Sequence, residues 1–153
     1  DIGTMVNGVY LKITDRKKEI FKTSGGKYIT PQVMENKFKE SRLIEQVIVL
    51  GEGEKMPGAF IVPDFESLKI WCREHNIKYT SDASMTEHSD VIKKYQEEVT
   101  HYNEQFAPYE QIKKFVIMKK SWSIEGGELT ATLKLKRKPV LAKYQKEYQE
   151  IYN

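Results

Sequence analysis

The chain has 153 residues, 39% of them hydrophobic, and its 25 basic against 22 acidic side chains leave a formal charge of only +3. That length suits one domain and is too short for a large two-lobed enzyme. The small basic surplus argues against a dedicated nucleic-acid binder, and a single cysteine, Cys72, excludes an internal disulfide and favours a reducing cytoplasm.

The longest aliphatic runs, such as Val47-Ile48-Val49-Leu50, fall far below the roughly 20 residues a spanning helix needs, so no transmembrane segment is expected. The chain opens at Asp1-Ile2-Gly3 without Met, as expected of a piece cut from inside a longer protein. Val9 to Thr23 reads as a small ribbon with a charged tip, Asp15-Arg16-Lys17-Lys18-Glu19. A glycine loop, Ser24-Gly25-Gly26-Lys27, follows. Thr30 as N-cap and Pro31 at the first helical position then predict a helix of about ten residues with Met34 and Phe38 on its apolar face. Gln46 to Leu50 and Ala59 to Val62, separated by Gly51-Glu52-Gly53-Glu54-Lys55, predict an antiparallel hairpin. Asp64 caps a second helix in which Phe65, Leu68, Trp71, Cys72 and His75 recur at helical spacing.

Residues 77 to 90 read as a polar loop, and Val91, Tyr95, Val99, Tyr102 and Phe106 mark a third helix that ends before Pro108. Lys114 to Met118 reads as a strand, Glu125-Gly126-Gly127-Glu128 as a turn, and Leu129 to Leu135 as a short extended segment carrying Lys134. Leu141, Tyr144, Tyr148 and Ile151 predict one closing helix. The interleaving of strands and helices with hairpin-like joins gives the α+β class, as a small mixed or antiparallel sheet with flanking helices and an N-terminal two-stranded ribbon.

Most chemical motifs drop out. His75, His88 and His101 are far apart, and Cys72 with His75 is half of a tetrahedral set, so the pair reads as one helix face and no metal site is expected. No Gly-x-Ser-x-Gly elbow occurs. Gly25-Gly26-Lys27 is not a Walker loop, because Phe21 and Tyr28 stand where that motif requires Gly and Ser or Thr. Two basic constellations remain. One joins Asp15 to Glu19, Lys22 and the glycine loop, where cations beside backbone amides suit phosphate. The other is Thr130 to Lys138, where Lys134, Lys136 and Lys138 share a face if extended. The bland alternative is a solvated basic face. Asp64 to Gln105 carries no catalytic motif and reads as a helical layer, with Trp71 and Tyr95 as a candidate partner surface.

The stretch Ile13-Thr14-Asp15-Arg16-Lys17-Lys18-Glu19-Ile20-Phe21-Lys22-Thr23-Ser24-Gly25-Gly26-Lys27-Tyr28-Ile29-Thr30-Pro31-Gln32 resembles the core motif opening the C-terminal domain of adenylate-forming enzymes, in the form of their long-chain fatty acid–CoA ligase branch. Asp1-Ile2-Gly3 resembles the end of the preceding motif. Gly127 to Arg137 resembles the late motif carrying the adenylation lysine, with Leu133 where many members have Gly and Ala131 where close relatives often have Pro.

The resemblance implies that residues 1–153 form a single C-terminal lid domain, with 1–23 as linker and hinge ribbon and a large N-terminal domain lying outside the chain. By position, Lys134 matches the adenylation lysine, Asp1 the ribose-binding aspartate, Arg16 the nucleotide-approaching arginine and Lys18 the hinge residue. Ser24, Gly25, Gly26 and Lys27 match the loop lining the pantetheine path and the adenylate phosphate. ATP, Mg2+ and CoA are the implied cofactor and co-substrates of the full-length enzyme, its own N-terminal adenylation domain and a fatty acid the partners. The cytoplasm is the implied location, with peripheral membrane contact open to the full-length protein. The isolated domain is expected to be inactive. Two alternatives stand beside this: a non-catalytic basic binding module, and a ligase that passes its acyl group to a carrier protein.

Overall fold

A computed structural model describes residues 20–152, and the readings placed on Asp1, Arg16, Lys18 and the charged tip lie outside them. The described chain opens on β1 (Phe21–Lys22) and β2 (Tyr28–Ile29), which pair antiparallel with Phe21 opposite Ile29 and Lys22 opposite Tyr28. The glycine loop is the tip of this ribbon. Pro31 starts α1 (Pro31–Phe38), shorter than expected, and Thr30 takes the N-cap position without a side-chain capping bond.

The three-stranded sheet has the order β3 (Ile44–Leu50), β4 (Gly58–Pro63), β5 (Lys114–Ile117). The predicted hairpin is present, with Val47 opposite Ile61 and Val49 opposite Ala59, and β5 joins β4 in parallel. Alternation along β3 and β4 divides the core between two faces. Val47, Val49, Ala59 and Ile61 face a cluster with Met34, Phe38, Leu68, Cys72 and Tyr95. Ile48, Leu50, Phe60 and Val62 face a second cluster with Trp122, Leu129, Val140 and Ile151. Such a strand reads as an unbroken apolar run because both of its faces are covered.

Asp64 caps α2 (Phe65–Glu74), its carboxylate accepting the Ser67 N–H at 3.2 Å. Cys72 is fully buried, whereas His75 caps the helix in solvent and stacks on Trp71, so the two do not share a face. Residues 77–90 are not the expected loop: they hold α3 (Asp82–Glu87), started by a reciprocal Ser81–Ser84 capping box and anchored by fully buried Met85. Two serines three apart carry the capping signal, but its Glu/Gln form is absent. In α4 (Ser89–Asn103), Val91, Tyr95, Val99 and Tyr102 are buried as predicted. Tyr95 cannot belong to a partner surface, since it is fully buried and its hydroxyl donates to the Leu43 carbonyl at 2.6 Å. The closing helix is two, α5 (Arg137–Lys143) and α6 (Gln145–Tyr152), broken at Tyr144, which leaves helical geometry at φ −110°, ψ 42°. Mixed strands with helices on both faces make the fold α+β. Among the described residues no helix is long and apolar enough to cross a membrane.

Candidate functional site

Two exposed loops carry the described candidate residues, and each is held from beneath. In the glycine loop the Thr23 N–H donates to the Lys27 carbonyl at 2.9 Å and the Gly26 N–H to the Thr23 carbonyl at 2.9 Å. Gly26 has φ +86°, the left-handed geometry that glycine adopts without penalty. The loop is stitched to the β3–β4 connection, since the Ser24 N–H donates to the Glu54 carbonyl at 2.8 Å and the Gly53 N–H to the Lys22 carbonyl at 2.9 Å. The amides of Ser24 and Gly26 are therefore consumed internally. This corrects the expectation of a cradle of exposed amides, and leaves Lys27, exposed with its ammonium 5.4 Å from the Tyr109 ring centre, as the loop's cation. A Cβ built on Gly25 would meet nothing within 4 Å among the described residues, so their packing does not explain that glycine.

The second loop runs from Trp122 to Arg137. Its base is Glu128, a carboxylate only 2% exposed that accepts hydrogen bonds from the Lys143 ammonium, from the Ser123 N–H at 3.1 Å and from the Tyr144 hydroxyl at 2.9 Å. Burial pushes the Glu128 carboxyl up, but the bonds from Lys143, the Ser123 amide and Tyr144 outweigh it and hold the group below its ordinary value. Burial, reinforced by the Glu128 bond, pushes the Tyr144 phenol up to about 12. A Cβ on Gly126 would lie 2.4 Å from Glu128 Oε1, so glycine is the residue that lets the carboxylate into place.

Above this base the chain doubles back. Leu129 bridges Leu135, the Thr130 N–H donates to the Lys134 carbonyl at 2.8 Å, and the Leu133 N–H returns to the Thr130 carbonyl at 2.8 Å. The Lys134 N–H reaches Thr130 Oγ1 at 3.1 Å. Leu133 has φ +64°, a conformation in which a β-carbon is strained, and this is the position where the resemblance anticipates Gly. The segment is thus a tight loop and not extended. The chain turns through residues 131–133, and Lys134, Lys136 and Lys138 do not share one extended face, because Lys138 already lies in α5. Lys134 stands exposed at the end of the loop.

Arg137 fastens the loop's far end. Its Nη1 donates to the Val49 carbonyl at 2.8 Å, while Nη2 lies 3.2 Å and 3.0 Å from the two oxygens of Glu35 in α1. Glu35 in turn accepts the Val49 N–H at 2.7 Å. This arginine is no part of a solvated basic face. Glu35 was legible in principle, because it falls within the buried stripe Pro31, Met34, Phe38 at helical spacing, where a carboxylate signals a buried partner. Glu128 and Lys143 left no comparable pattern, since they meet only through the fold.

Lys134 and the glycine loop are each built on their own supports. Among the described residues no group of three or more His, Cys, Asp or Glu side chains gathers to hold a metal ion.

Residues 18–153 match the AMP-binding enzyme C-terminal domain. A long-chain-fatty-acid–CoA ligase of Mycobacterium tuberculosis is 36% identical over all of this chain and 26% of its own length, and human long-chain-fatty-acid–CoA ligase 1 is 32% identical over all of this chain and 22% of its own. The chain therefore spans about a quarter of the length of these curated relatives. Among solved structures, the adenylation domain of a carboxylate reductase from Mycobacterium chelonae shares the fold at TM-score 0.67 and 18% identity, over 86% of this chain and 19% of that one. An adenylation–carrier didomain of a carboxylic acid reductase from Segniliparus rugosus, solved with AMP, superposes at TM-score 0.63 and 25% identity, over 90% of this chain and 18% of that one. With a match over almost its whole length, the chain belongs to the AMP-binding enzyme C-terminal domain family.

Proposed function

We propose that this chain is the mobile C-terminal domain of an ATP-dependent long-chain fatty acyl-CoA synthetase, with Lys134 serving adenylation and the Ser24–Lys27 loop serving thioester formation after the domain rotates. One observation carries the reading: Lys134 is exposed on a tight loop whose base is Glu128 and whose far end is fixed by Arg137. A cation on a rigid support that faces outward is built to act on something outside this domain.

In the first half-reaction a fatty carboxylate oxygen attacks the α-phosphorus of ATP and pyrophosphate leaves with the bonding electron pair. Negative charge grows on the non-bridging oxygens, and the Lys134 ammonium stabilises it; one such preorganised contact is typically worth about 3–4 kcal/mol. In the second, the CoA thiolate attacks the acyl carbon and AMP departs. Lys134 must then withdraw and the glycine loop approach, Gly25 giving the open backbone surface that a pantetheine arm requires. In this reading Asp1 holds the ribose, Arg16 and Lys27 face nucleotide phosphate, and Lys18 is the pivot. CoA is the acceptor because the relatives at 32–36% identity are CoA ligases, whereas the didomain whose carrier protein suggests the alternative is 25% identical.

The test is Lys134→Ala in the full-length parent enzyme. Fatty acid-dependent pyrophosphate exchange should fall about 100- to 1,000-fold, while thioester formation from supplied acyl-adenylate and CoA stays near the unsubstituted rate. Equal loss in both assays would refute the division of labour. Lys18→Pro, which restricts the pivot, should trap one pose and depress one half-reaction only; unchanged rates for both would remove Lys18 from the hinge.

A further inference from the structure

Three tyrosines at steps of four residues, Tyr144 at the break between α5 and α6 and Tyr148 and Tyr152 in α6, point their hydroxyls at the supports of both loops. Tyr144 donates to Glu128, whose backbone carbonyl accepts the Lys136 N–H at 2.8 Å, directly behind Lys134. Tyr148 donates to Glu54 Oε2 at 2.7 Å, and Glu54 is the residue whose carbonyl holds the Ser24 N–H. Tyr152 donates to the Met56 carbonyl at 2.9 Å and lies 3.3 Å from the Leu50 carbonyl, gripping the same β3–β4 connection at both ends. The connection cannot easily move under α6: a Cβ on Gly51 would lie 2.7 Å from the Tyr152 hydroxyl, and one on Gly58 2.9 Å from Ile151 Cγ2. The glycine loop thus rests on a turn, and the turn rests on a helix through phenol bonds.

We propose that Tyr148, acting through Glu54, is a positioning residue for the glycine loop and hence for the thioester half-reaction, while its neighbour Tyr144 serves the Lys134 loop. The proposal rests on the functional reading above. The Ser24–Glu54 bond is made by backbone, so it holds Ser24 only as firmly as Glu54 is itself held. The Glu54 side chain has one described phenol partner, at 2.7 Å, on an element that belongs to the sheet's other face. Removing that hydroxyl releases the Glu54 side chain and loosens the turn at the residue that holds Ser24, while the Tyr152 bonds at the turn's two ends, and Glu128, Arg137 and Lys134, stay as they are. A reacting group displaced by about 1 Å loses on the order of a hundredfold in rate, and loss of one support should give a part of that.

The experiment uses the full-length enzyme and measures both half-reactions for Tyr148→Phe, Tyr144→Phe, Glu54→Ala and Glu54→Gln. For Tyr148→Phe and Glu54→Ala, thioester formation from supplied acyl-adenylate should fall by about tenfold, with pyrophosphate exchange holding within about twofold. Glu54→Gln, whose amide oxygen still accepts the phenol proton, should recover most of the thioester rate. Tyr144→Phe should show the opposite bias. Equal loss of both half-reactions in Tyr148→Phe, the same pattern in both tyrosine variants, or an unaltered thioester rate in Glu54→Ala would each overturn the proposal. An unsubstituted enzyme that makes no acyl-adenylate would instead sink the functional reading itself.

Discussion

Arg137→Met is the substitution whose consequence follows most directly from the geometry. It keeps the apolar stem of the side chain but removes the guanidinium bonds to the Val49 carbonyl and to both oxygens of Glu35. The Glu35 side chain is only 7% exposed and that of Arg137 17%, so the substitution removes one partner of a buried pair. Such a loss costs about 3–5 kcal/mol, against the 0–1 of a surface pair. Because the guanidinium keeps some water, the lower end applies. About 3 kcal/mol in a domain of this size lowers the melting temperature by about 6–12 °C. Urea unfolding followed by tryptophan fluorescence is the assay, with Trp122 buried beside the loop as a reporter. The double variant Glu35→Gln/Arg137→Met should be less destabilised than the sum of its singles, with a coupling of about 1–3 kcal/mol. A loss below about 1 kcal/mol for Arg137→Met, or strict additivity, would show the pair behaving as a solvated surface contact and would remove the anchor assigned to the Lys134 loop.

Leu133→Gly should raise stability by about 0.5–1 kcal/mol, since the left-handed geometry at φ +64° costs leucine about 1–2 kcal/mol and the entropy of glycine returns part of that. The side chain is 61% exposed, so little packing is lost; destabilisation in the same urea assay would contradict the strain. Gly126→Ala should cost about 1–3 kcal/mol, because the new methyl collides with a carboxylate that Lys143, Tyr144 and the Ser123 amide hold in place. A neutral result would mean that Glu128 is not so fixed. In alkali, the Tyr144 phenol titrates near 10 when unfolded but at about 12 when folded, so its contribution is complete below pH 10 and fades as pH rises toward 12. Urea midpoints should therefore decline over that window, and less steeply in Tyr144→Phe; parallel profiles would remove the Tyr144–Glu128 bond from the account.

Periodicity and capping chemistry made much of the scaffold legible. Asp64 before Phe65, Pro31 after Thr30 and the paired apolar runs around Gly51–Lys55 each act within a few residues, and the corresponding helices and hairpin form where those signals stand. Local signals misled where a weaker neighbour prevailed. Residues 77–90 looked polar, yet Met85 finds the core and a serine capping box suffices for one short helix. Leu129 to Leu135 alternates like a strand, but the Thr130–Lys134 bonds close it into a loop.

The linear order of residues determined that one lysine, Lys134, follows hydroxyls and precedes a basic run, and that a glycine loop precedes a proline-started helix. It could not determine which cations stand in solvent and which are buried. Arg137, three positions beyond Lys134, is bound to Glu35 on α1, and Lys143 is bound to Glu128. A charge is held or left exposed according to partners distant in the chain, 102 residues away for Arg137 and Glu35, and only the packed sheet with α1 on one face and α5 and α6 on the other brings those partners within bonding distance.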